Sequence, residues 1–136
     1  MATKEIESLI KDFFLDKQEI AAVYLFGSHA TGKNAHMSDV DIGLLFNPSS
    51  ITSAETLKDE YIVKLGKFLR KDVHPVVMNY AGEVVLKQIL SKGRVILEND
   101  PIFARRFRMT AVARIADFGY LLKTMQAGFK RKVLEG

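Results

Sequence analysis

The sequence predicts an α/β fold: a small mixed sheet of about four strands with helices packed on it, plus a long C-terminal helix. Three observations predict it. Two apolar runs, Ile20 to Phe26 and Asp39 to Phe46, have the length and composition of buried strands. Helical periodicities stand before, between and after shorter strand-like runs, the pattern that builds helices onto a sheet. A last apolar series, Phe103 to Phe129, recurs every three or four residues. At 136 residues, with 48% hydrophobic and 26% charged, the chain is most simply one domain with a real core.

Residues 3 to 17 read as an amphipathic helix, with Ile6, Leu9, Ile10, Phe13 and Phe14 at helical spacing and Thr3 as N-cap. The first strand follows and stops at Gly27-Ser28, where a chain turns sharply and bares its N–H groups. Residues 28 to 32 form a short helix in this reading. The second strand ends at Asn47-Pro48. Thr52 and Glu55 have capping-box spacing, and the helix they open carries Leu57, Tyr61, Leu65 and Phe68 on one stripe. This helix is the crossover to a third strand, Asp72 to Met78, which Pro75 confines to an edge or to pairing near one end only. Asn79 caps a helix over 81 to 92, and Arg94 to Leu97 makes a last short strand. Asp100-Pro101 starts the final helix, 101 to 133, whose stripe is Phe103, Phe107, Ala111, Ile115, Phe118, Leu122, Met125 and Phe129. Either it runs continuously past its own domain toward a partner, or it folds back near Gly119.

The chemistry concentrates at the two long strands. By alternation Asp39 and Asp41 point one way, and Val40, Ile42 and Leu44 point the other, toward a core. Two carboxylates on one face repel each other unless a cation lies between them, and magnesium prefers such oxygen ligands beside phosphate. With ten residues between it and Asp39, Ser28 offers a hydroxyl and Gly27 an open turn to an anion. The same turn satisfies the opening of a P-loop through Lys33, but Asn34 stands where a hydroxyl is needed. The chain then enters a strand rather than a long helix, which excludes that motif. His29 and His36 flank the turn, and His74 shares the face of Asp72, bordering the site from a surface or supporting position.

Gly-Ser, ten residues, then Asp-x-Asp resembles the nucleotidyltransferase superfamily of DNA polymerase β, and the short chain is similar to its minimal nucleotidyltransferase (MNT) domains. The resemblance covers residues 20 to 98 and implies a polymerase β-like fold that transfers a nucleoside monophosphate with loss of pyrophosphate. It divides the chain into a nucleotidyltransferase domain, 1 to 98, and a helical extension, 99 to 136, for packing or for a partner. It implies that Gly27, Ser28, Asp39 and Asp41 bind the nucleotide, ATP or another NTP. Asp39, Asp41 and Asp72 hold magnesium, two ions in its fullest form, and carry catalysis. Asp72 matches the family's third carboxylate and would accept the proton of the attacking hydroxyl. Relatives often carry arginine after the Gly-Ser pair; His29 departs from that and weakens any cationic grip there.

A lone domain of this size is similar to the MNT antitoxins paired with HEPN ribonuclease toxins. That implies transfer of AMP from ATP to a tyrosine of the toxin. Two other classes of function remain: an antitoxin or scaffold that acts by binding alone, and a stand-alone transferase for a small molecule or an RNA end. No cysteine is present, which fits a cytoplasmic protein, and no apolar run approaches the ~20 residues that span a bilayer. The net charge of +4 is modest. Basic residues gather in the last helix, where a HEPN toxin, a second copy of the chain or, less favoured, RNA could meet them.

Overall fold

The structure, a computed structural model, describes residues 3–31 and 39–135. Its elements are α1 (Thr3–Phe14), β1 (Ile20–Phe26), α2 (Ser28–Thr31), β2 (Val40–Phe46), α3 (Ala54–Leu69), β3 (Val73–Val77), α4 (Glu83–Lys92), β4 (Arg94–Glu98) and α5 (Pro101–Glu135). The strands form one mixed sheet in the order β3-β2-β1-β4. β1 pairs antiparallel with β2 and β4, and β2 pairs parallel with β3 across the α3 crossover. Pro75 therefore lies on an edge strand, as its missing N–H predicts.

Both faces of the sheet are covered, so β1 is buried throughout and reads as an unbroken apolar run. On one face α1 (Ile6, Ile10, Phe14) and α3 (Tyr61, Leu65, Leu69) pack on Val23, Leu25, Val40, Ile42 and Leu44. On the other, α4 (Leu86, Ile89) and α5 (Ala104, Ala111) pack on Tyr24, Phe26 and Leu45. A register irregularity between Ile20 and Ala22 lets the adjacent Ala21 and Ala22 both serve the second core. The two faces thus split the second strand as alternation predicts: Val40, Ile42 and Leu44 go inward to the first core.

Several local expectations change. α1 ends at Phe14 rather than 17, because Lys17 N–H bonds the Phe14 carbonyl and Ile20 N–H the Lys17 carbonyl, turning the chain into β1. No capping box opens α3: a 3₁₀ turn from Pro48 to Ser53 leads in, and Glu55 instead meets Lys58 at 2.8 Å and the Tyr80 hydroxyl. Phe68 turns out to be half exposed and Leu69 takes its place in the core. Asn79 does not cap α4, which starts from Gly82. Its amide bonds both the N–H and the carbonyl of Phe46, at 2.9 and 2.8 Å, and closes the end of β2.

Asp100 does cap α5, its Oδ1 accepting the Phe103 N–H at 3.1 Å. α5 is one continuous helix of 35 residues, about 50 Å long at ~1.5 Å per residue, and it does not fold back at Gly119. Phe103, Phe107 and Ile115 pack against the second core, whereas Met125 is exposed. The side chains of Thr3, Leu122 and Phe129, and residues 32–38 with Lys33, Asn34 and His36, lie outside the described residues. Among the described residues no helix is long and apolar enough to cross a membrane.

Candidate functional site

The site is built where the C-terminal end of β1 meets the start of β2. Phe26 pairs with Asp41, which sets the Gly27 turn directly beside the Asp41 carboxylate. Gly27 has φ +73°, and a Cβ there would lie 2.4 Å from Asp41 Oδ2. Only glycine fits, on both backbone and steric grounds. Ser28 then opens the short α2, with the Ala30 N–H bonded to the Gly27 carbonyl at 3.2 Å.

Across β2 the parallel ladder begins with the Val40 N–H donating to the Asp72 carbonyl at 2.9 Å. Its register sets His74 beside Asp41. His74 Nε2 lies 2.9 Å from Asp39 Oδ2, with both side chains more than half exposed. His74 thus joins the two aspartates from the neighbouring strand. Alternation alone placed it on the Asp72 face; the parallel register, invisible in sequence, is what seats it on Asp39. Asp72 precedes β3, is exposed, and lines an open cleft of about 780 Å³ together with Asp39 and His74.

The electrostatics concentrate on Asp41. Burial pushes its carboxyl above the ordinary 3.8; the charge of His74 opposes that shift, while Asp39 adds to it and His29 opposes it. His29 is 1% exposed, so the position after Gly27-Ser28 is tucked inside rather than presented to a phosphate. A carboxylate made uncomfortable by burial and by a like-charged neighbour is a natural ligand for a cation.

Among the described residues no three histidine or acidic side chains are grouped closely enough to hold a metal ion together. That does not exclude magnesium here, because this ion commonly takes one or two carboxylates and completes its shell with water and substrate phosphates. Asp39 and Asp41 fit that donor set.

The profile of the polymerase beta nucleotidyltransferase family matches residues 8–102. The chain belongs to this family. The matched segment runs from within α1 to the start of α5 and so contains the entire sheet. A search of curated proteins finds no match.

Solved structures share the fold with this nucleotidyltransferase. A chain of a toxin–antitoxin complex with AMP-PNP is 22% identical with TM-score 0.68, covering 92% of this chain and 96% of that one. A chain from the tri-AMPylated HEPN toxin of Shewanella oneidensis in complex with its MNT antitoxin is 20% identical with TM-score 0.64. That match covers 95% of this chain and 97% of the other. A MntA–HepT toxin–antitoxin structure supplies a third, 20% identical, TM-score 0.63, covering 94% and 97%. The likeness runs nearly end to end, long C-terminal helix included.

Proposed function

We propose that this nucleotidyltransferase transfers AMP from ATP to a tyrosine of a HEPN-type toxin and silences it. The observation that carries the reading is the seating of Asp41 over Gly27, which makes the Gly-Ser turn and the Asp-x-Asp strand one site. Family membership supports nucleotidyl transfer as the reaction class. The choice of acceptor leans on the fold neighbours, which come from HEPN–MNT toxin–antitoxin complexes, one with an AMPylated toxin.

In this mechanism Ser28 and the backbone after Gly27 receive the β and γ phosphates. Asp39 and Asp41 would hold magnesium, which when bound neutralises phosphate charge and favours displacement at the α-phosphate. His74 keeps the Asp39 carboxylate in place through its 2.9 Å contact. Asp72, at the rim of the cleft, accepts the proton of the incoming tyrosine hydroxyl. Pyrophosphate leaves and the tyrosine oxygen takes the adenylyl phosphorus. α5, continuing as a helix well past the last core contact described, offers the toxin its docking surface.

The test is to purify the chain with the HEPN-type protein encoded beside it, add ATP and magnesium, and read the intact mass of both proteins. The expected result is one or more AMP additions on tyrosine of the partner, absent with Asp39→Asn. A toxin left unmodified yet fully inhibited, by wild type and variant alike, would replace transfer with binding.

A further inference from the structure

The open cleft beside the site has a second wall that the transfer reaction does not use. Its floor is Asp39, Asp72 and His74; its wall is the outer face of the C-terminal half of α3, with Ile62, Val63, Gly66, Lys67 and Arg70. These residues recur at helical i, i+4 spacing, so they form one surface. Ile62 and Val63 are 40% and 55% exposed, an aliphatic patch in a cleft that Lys67, Arg70 and Lys71 also line. Gly66 lies between them without a side chain, and a Cβ there would come within 3.3 Å of the Lys71 carbonyl oxygen as the chain turns past it. Neither Lys67 nor Arg70 makes an ion pair with any described residue.

The backbone at Arg70 adds an independent observation. Arg70 has φ 56°, the one non-glycine residue with positive φ among those described. It ends α3 in the left-handed conformation where glycine is the common choice, its N–H bonded to the Gly66 carbonyl. A bulky side chain held there against its backbone preference points to a use for the side chain rather than for the turn.

We propose that this cleft receives the acceptor, and that the acceptor is an acidic protein segment. Its carboxylates meet Lys67 and Arg70, its apolar side chains cover Ile62 and Val63, and its hydroxyl reaches the floor at Asp39 and Asp72. The proposal rests on the reading of a protein acceptor above, and it says where and by what chemistry that acceptor is gripped. A nucleic acid fits less well, because regularly spaced phosphates would meet the two aspartates on the floor as well as the cations on the wall. The triphosphate has its own place at the Gly27-Ser28 turn on the opposite side of β2.

The probes are a short tyrosine peptide flanked by glutamates, the same peptide with lysines, an RNA oligonucleotide and AMP-PNP. Each is titrated into isotope-labelled protein and read by amide chemical shifts, and both peptides are then tried as acceptors with α-labelled ATP and magnesium. The acidic peptide should shift amides between residues 62 and 74, and the lysine peptide should not. Arg70→Gly removes the side chain while suiting the backbone, so its melting temperature should hold or rise. The peptide KM should nonetheless increase roughly tenfold with kcat and the KM for ATP unchanged. Lys67→Ala should act in the same direction.

Unaltered peptide binding in both variants, or shifts of the same amides by RNA or AMP-PNP instead, would overturn the proposal. If the acidic peptide binds here, lost in Arg70→Gly, but takes no label, the cleft assignment stands and the AMP-transfer reading falls. If label is transferred with Arg70 and Lys67 dispensable, AMP transfer stands and the cleft assignment falls.

Discussion

At Gly27 any side chain would have to share space with the carboxylate of Asp41, since its Cβ would sit 2.4 Å from Oδ2. Gly27→Ala should therefore cost about 1–2 kcal/mol in backbone strain alone and displace Asp41, so activity should fall further than stability. Thermal melting and label transfer on the same preparation separate the two effects. Asp41 predicts the opposite pairing. Its folded-state carboxyl lies above the ordinary value, chiefly through burial, so its ionised form weakens the fold. Relative to Asp41→Asn, wild type should lose stability as pH rises from about 4, and the difference should close below that. The same variant, and Asp39→Asn, should lower transfer on the order of a thousandfold. A variant at least as stable as wild type but inactive marks a residue kept for chemistry. Much of this site was legible at the residue level. Glycine before serine, and two aspartates one residue apart, each report a local requirement of backbone or charge, and such requirements are written in consecutive residues. His74 was harder, because its place on Asp39 depends on the parallel register between strands separated by the whole of α3. Lys67 and Arg70 gave no sequence signal at all: on a helix read for its apolar stripe, two cations on the other face look like ordinary solvated charge.

Among the elements, β1 and β2 were readable because burial on both faces forces a continuous apolar run. Apart from Asp100 at the start of α5, helix ends were not, since a cap is decided by competing partners: Asn79 has the chemistry of an N-cap but spends its amide on Phe46. Glu55 likewise leaves its capping role for Lys58 and the Tyr80 hydroxyl, which pushes the Tyr80 phenol up to about 12. In α5 the continuous helix resolves the choice at Gly119, where an added Cβ meets nothing within 4 Å. Gly119→Ala should accordingly stabilise the protein by about 0.5–1 kcal/mol, read as a rise in denaturation midpoint. α5 is tied to the sheet by Arg108, which donates to Glu98 at 2.7 Å and to the Tyr24 hydroxyl at 3.2 Å. Arg108→Ala should cost about 1–3 kcal/mol and loosen the helix from β1 and β4, measurable as faster amide exchange in the first turns of α5.

For the whole molecule, the sheet brings the Gly27-Ser28 turn, the Asp39 and Asp41 carboxylates and an open cleft to one end, and α5 continues past the last core contact described. On the proposed reading, that end carries the chemistry and the long helix holds the protein that is modified. The measurement that tests this most directly uses ATP labelled at the α-phosphate, with magnesium, in lysate of the source cells, against an Asp39→Asn control. The expected result is label in one small protein with the intact chain and none with the variant. Label in RNA or a small molecule would contradict the acceptor, and no label with any nucleotide would contradict transfer itself.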